Sequence, residues 1–276
     1  MRGPMSPWAT VVRYAVQESL RRRVFLVVLV LTGLFLAAYT AGALAIFGGL
    51  DDFGGDGDER AAVGTGLLGF AMFVVLFLGT TLAIFLTIGT VRGDAERGLL
   101  APLVVRPLGR TQLLGARMAA AAAMSGGYVV AFFAVLVLLT GAVGQWFPDA
   151  VLGAGAGLVG AVLVVCALSL LGSTFLTATA NGIAVFMLFG AGLAAALLHQ
   201  LALGLDSGAL KGISELAGWL LPFMALYLAS LGSLGPDINT ADILGGPSGV
   251  ALFLWTLVYL ALLAAGARTA FLRRDL

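Results

Sequence analysis

The sequence predicts an all-α, polytopic membrane protein with six transmembrane helices, and three observations predict it. Hydrophobic residues make up 61% of the 276 and charged residues 11%, whereas a soluble domain carries about 45–50% and about 25%. Six apolar runs close to the roughly 20 residues that a bilayer core requires contain no Asp, Glu, Lys or Arg. Thirteen of the fifteen basic residues fall on one side when those runs alternate direction. A soluble fold of this size has nowhere to hide so much apolar surface, because its exterior must be wetted. The spans use most of the chain, so residues 1–276 read as a single transmembrane domain.

The first 23 residues carry Arg2, Arg13 and the run Arg21, Arg22 and Arg23. They are too long and too mixed for the basic start of a cleaved signal. The apolar run behind them has 24 residues, against about 7–15 in a signal core. Residues 8–23 alternate Trp8, Val12, Ala15 and Ser19 with Arg13 and Gln17. An amphipathic helix on the inner leaflet fits this pattern, with arginines near anionic headgroups. A plain basic topology anchor fits it as well.

The six runs are 24–47, 66–89, 118–143, 151–174, 182–205 and 249–267. Continuous apolarity predicts helices, since barrel strands alternate. A further apolar stretch, 213–231, contains Glu215 and a central Pro222. Charge decides how to read it. With six spans, the arginines before the first span, those from Arg92 to Arg117, and Arg268, Arg273 and Arg274 share one side, leaving Arg60 and Lys211 opposite. The positive-inside rule puts the larger group, and both termini, in the cytoplasm of a multi-pass cell-membrane protein. A seventh span would send the last three arginines outside. Residues 213–231 are therefore expected to form a re-entrant or interfacial helical segment on the outer side, its freed backbone buried in protein or lining a cavity. Asp51, Asp52, Asp56, Asp58 and Glu59 are expected in the first outer loop.

Several motifs dissolve on inspection. Gly64-Thr65-Gly66-Leu67-Leu68-Gly69 and Gly155-Ala156-Gly157-Leu158-Val159-Gly160 match a dinucleotide fingerprint in letters only. Both lack the preceding strand and later acidic residue, so they predict close helix packing. Gly153 with Gly157, and Ser169 with Ser173, read the same way. Ser125-Gly126-Gly127 lies inside the third run. The only lysine, Lys211, does not close a phosphate-binding loop. His199, the only histidine, is expected to bond between helices or sit at an interface, since one ligand makes no metal site. Asn181 is expected to cap the fifth span. Cys166 is the only cysteine and has no partner in the chain for a disulfide.

The spans lack the buried charge that ion-coupled carriers and pumps use. No nucleophile–base pair or metal cluster suited to hydrolysis is evident. The chain is thus expected not to be an enzyme and to need no cofactor of its own. Energy for any transport would come from a partner, and nothing points to nucleic acid.

The informative stretch outside the lipid is 91–117. A charged turn with Asp94, Glu96 and Arg97 leads through Gly98 into a short apolar helix holding Leu99, Leu100 and Leu103. Arg106 flanks it, Pro107 breaks it, and Thr111 is placed to cap the next helix. A helix so short and apolar must dock on something cytosolic.

Here the chain resembles the membrane subunits of type-2 ATP-binding-cassette (ABC) exporters. In that family an acidic residue, a glycine turn, a leucine-rich coupling helix, a Pro-x-x-Arg element and a basic residue link the second and third spans. Glu96, Gly98, Leu99, Leu100, Leu103, Pro107, Arg110 and Arg117 match. Leu99 departs from the common Thr, and Arg117 from the common Lys. The two ends, Glu18 with the arginine run and Phe271-Leu272-Arg273-Arg274-Asp275-Leu276, are similar too. The resemblance implies a pair of permease subunits, identical or not, each seated on a cytosolic ABC ATPase subunit that holds the ATP and Mg. It implies that the loop helix fits a groove on the ATPase, that the first and fifth spans line the dimer interface and pathway, and that the segment before the last span closes the outer side. The competing reading is a stand-alone carrier, or a structural or sensory membrane protein, active without an ATPase. An intramembrane enzyme is a third.

Overall fold

A computed structural model describes residues 23–53, 56–88, 110–148, 150–235 and 247–272. They form eight helices and, among the described residues, no strand. In order these are α1 (Arg23–Phe53), α2 (Gly57–Thr87), α3 (Arg110–Gly144), α4 (Val151–Phe175), α5 (Ala178–Gly204), α6 (Gly208–Leu220), α7 (Pro222–Gly232) and α8 (Gly249–Leu272). Six of them, all but α6 and α7, are long and apolar enough to cross a membrane. The protein is a multi-pass, all-helical membrane protein.

The helices outrun the apolar stretches that announce them. At 31 residues, α2 is about 46 Å long, against a hydrocarbon core of about 30 Å. Its first turn reaches back to Gly57 and carries Asp58 and Glu59, whose charges favour the positive end of the helix dipole. Asp56 caps it, accepting the Glu59 N–H at 2.9 Å. The expected acidic outer loop is therefore mostly helix: Asp51 and Asp52 lie in the last turn of α1. Arg60 pairs with Asp51 and tacks the two helix ends together. Thr111 does not cap α3, which already begins at Arg110.

At the centre stands α4, against which α2, α3, α5, α7 and α8 all pack. Small residues make this possible. A methyl added at Gly155 would sit 3.3 Å from Phe133 of α3, and one at Gly160 would sit 3.3 Å from Leu226 of α7. At Gly157 it would overlap the Ser230 hydroxyl and come within 3.1 Å of the Leu226 carbonyl. The second fingerprint-like motif is thus a packing ridge. The first is only partly so: Gly64 meets Trp146 and Gly69 meets Leu231, while Gly66 and Gly153 face open space. The packing expected of Gly153 is therefore absent.

Contacts between helix ends give the bundle two ends. Met118 near the start of α3, Leu170 and Leu171 near the close of α4, and Ala267 near the close of α8 pack together. The last turn of α2 joins them, with Thr87 against Ser169. At the opposite end, Asp51 of α1 meets Arg60 of α2, and Arg60 reaches the Gly144 carbonyl closing α3. There α6 begins, after α5. It runs back beside α5, then breaks at Leu221, and α7 departs at 96°. Along α7, Leu226 and Ser230 meet Gly160 and Gly157 of α4 in reverse order, so the two helices are antiparallel. Gly235 beyond α7 arrives beside Thr65 of α2. The bent pair starts and finishes towards one end.

Candidate functional site

The expected coupling-loop residues Glu96, Arg97, Gly98, Leu99, Leu100, Leu103, Arg106 and Pro107 lie outside the described residues, as do most of the N-terminal amphipathic segment and the last four residues. Arg110 is described as the first residue of α3. The structure does describe the helix ends that flank this loop, Ile88 after α2 and Arg110 opening α3, and what surrounds the first of them.

A polar knot ties the close of α2 to α4 and α5. Thr87 Oγ1 lies 2.7 Å from Ser169 Oγ, and Asn181 Nδ2 donates to the Ser169 carbonyl at 2.8 Å. All three residues are buried. Asn181 is therefore not the cap of α5. Thr177 caps it, accepting the Ala180 N–H at 3.4 Å, and Asn181 sits one turn inside. Among the described residues its Oδ1 has no partner, and it faces Gly172, where only a glycine leaves room. A buried orphan acceptor costs about 1–3 kcal/mol, which the paired groups around it must offset. Ser173, expected at a packing face, bonds within its own helix to the Leu170 carbonyl.

Beside this knot opens an apolar groove of about 630 Å³ between Phe85 of α2, Ile88 just beyond it, and Ala178, Gly182, Ile183 and Met187 of α5. It runs about 14 Å along α5 from its first turn. Among the described residues Thr179 is the sole polar side chain in its wall, so that wall suits hydrocarbon rather than ions. The exposed row Ile183, Met187, Leu197 and Leu201 continues it along one face of α5.

At the other end, His199 bonds between helices, as expected. Its Nδ1 lies 2.8 Å from Ser214 Oγ of α6. Ser214 donates in turn to the Lys211 carbonyl at 2.8 Å, so His199 Nδ1–H is the donor to Ser214. The pair has the spacing of a nucleophile and base, but Ser214 is wholly buried and His199 nearly so, leaving no path for a substrate carbonyl. It is a clasp between α5 and α6. Among the described residues no group of three or more His, Cys, Asp or Glu gathers to hold a metal.

The break between α6 and α7 leaves helix-end carbonyls without backbone partners. Two side chains of α8, which sequence reasoning passed over, supply donors. Trp255 Nε1 donates to the Trp219 carbonyl at 2.9 Å, and the Tyr259 hydroxyl donates to the Leu220 carbonyl at 2.8 Å. Their one-turn spacing on an apolar span was the available signal. No protein-family model matches the chain, and no curated protein matches it.

Proposed function

We propose that this chain is the membrane-spanning permease subunit of an ABC exporter of the type-2 class, forming the pathway as a dimer and driven by separate cytosolic ATPase subunits. The observation that carries the reading is the Glu96–Arg110 sequence pattern placed between two spans whose ends lie together. The close of α2, the start of α3 and the close of α8 share one end of the bundle. Arg117 and Arg268 belong to that end, while Arg60 belongs to the other. This segregation supports a cytoplasmic face built around the loop. Leu99, Leu100 and Leu103 of the loop are the apolar contacts for the ATPase, with Glu96 and Arg97 its charged ones.

Two further observations agree with the reading. The bent α6–α7 pair, which leaves and regains the opposite end, suits a re-entrant outer segment. The apolar row on α5 and its groove suit a pathway completed by a second subunit and open to hydrophobic or amphipathic cargo. Affinity purification of the chain from its native membrane tests the proposal. An ABC ATPase should co-purify, and Glu96→Lys or Arg97→Glu should weaken its retention. Recovery of the folded chain without any ATPase, or retention unaltered by both reversals, would favour the stand-alone reading.

A further inference from the structure

A continuous helix through residues 208–232 would satisfy the Trp219 carbonyl with the Phe223 N–H and the Leu220 carbonyl with the Met224 N–H. The break removes both donors. Leu221 adopts non-helical angles (φ −123°, ψ 64°), Pro222 has no N–H, and Met224 N–H turns instead to the Leu221 carbonyl at 3.1 Å. In a lipid environment such carbonyls find no water. Trp255 Nε1–H and the Tyr259 hydroxyl occupy the positions of the two missing amides. They are four residues apart, hence on one face of α8. They meet consecutive carbonyls, and the indoles of Trp219 and Trp255 pack edge to face at 5.4 Å.

The two arms of the break are held unequally. Pro222 to Leu228 is buried throughout, whereas α6 buries only Ser214 and Gly218 and exposes Ile213, Leu216, Trp219 and Leu220. The direction of α7 is set by the core. That of α6 rests on its packing along α5, which includes the His199 clasp, and on the two hydrogen bonds from α8. At its far end, Ala267 of α8 joins the cluster that holds Leu170 and Leu171 of α4 and Met118 of α3.

We propose that Trp255 and Tyr259 are positioning residues that stand in for the lost backbone amides and tie α6 to the last span. A shift of α8 then either carries α6 with it or breaks two hydrogen bonds. One helix thus links the start of α3 at one end of the bundle to the exposed arm of the break at the other. This inference rests on the described geometry and holds whether or not the chain is a permease.

Hydrogen–deuterium exchange on the full chain in lipid nanodiscs tests it. Trp255→Phe with Tyr259→Phe leaves an aromatic ring at each position and removes both donors. Protection across residues 208–221 should fall about tenfold, the loss expected for two membrane hydrogen bonds. Protection across 222–232 should not change. Tyr259→His, which restores a donor, should recover part of the loss. Unchanged exchange in α6, or equal loss in both arms, would overturn the proposal. If the double variant does not fold, the single Tyr259→Phe variant reads the same contrast at about half the size on a logarithmic scale, and its failure to separate the arms would overturn the proposal equally.

Discussion

The central helix α4 and the first helix α1 are equally apolar to the eye, yet they are held by different physics. α4 is surrounded, and its contacts are backbone-close because Gly155, Gly157, Gly160 and Gly172 admit neighbouring side chains. α1 docks through one stripe, Val28, Thr32, Tyr39, Ala43 and Phe47. Only 17% of its most apolar window is buried, against 50% for α4, so most of its surface is left for lipid or a partner. Within that stripe two hydroxyl pairs join α1 to α3, Thr32 with Tyr128 and Tyr39 with Thr140, each at 2.6 Å. Between lipid and protein there is little hydrophobic gain, because lipid tails are as apolar as Leu. Close packing holds the centre, and a few hydrogen bonds align the periphery.

The strongest way to break this comparison is Gly157→Leu. The new side chain meets the Leu226 carbonyl, which cannot yield, and the cost should approach about 3 kcal/mol, the upper range for overpacking. Loss of the monodisperse peak on size-exclusion chromatography in detergent would register it; wild-type behaviour would show that α7 is not seated on α4 as described. Asn181→Ala comes next. It strips the Ser169 carbonyl of its donor but also removes the orphan Oδ1, so the net loss should be about 1 kcal/mol, visible as a modest drop in thermal midpoint. A smaller effect follows from Tyr39→Phe with Tyr128→Phe, about 0.6 kcal/mol for each bond. It should loosen α1 alone, read as faster labelling of a cysteine placed at Ala43, with global unfolding barely moved. If global stability fell instead, α1 would belong to the core. Gly66→Ala should be the weakest, within about 0.5 kcal/mol of neutral, because nothing lies within 4 Å of the added methyl.

Uncharged runs long enough to cross lipid made the six spans legible, since solvation in a bilayer leaves a compositional mark. Helix ends were less legible, because a helix continues wherever its hydrogen bonds do, and Asp58 and Glu59 suit a helix start as well as they suit a loop. Asn181 reads as the cap of α5 from sequence, and Thr177 takes that place in the structure. What draws Asn181 inside is Ser169, a neighbour twelve residues away in sequence whose buried carbonyl accepts the Asn amide. Pro222 and Glu215 flagged the interrupted stretch from composition alone. Trp255 and Tyr259 carried no such flag, because their partners are main-chain carbonyls about 36 to 39 residues back, and a carbonyl has no letter in the sequence.

The absence of Asp, Glu, Lys and Arg from the six apolar runs has an electrical consequence. A charge carried across the membrane exchanges about 2.3 kcal/mol with each 100 mV of potential. Rearranging these spans moves no formal charge through that field. For an uncharged cargo, a cycle carried by those six runs should therefore run at the same rate in an energised membrane and in a collapsed one.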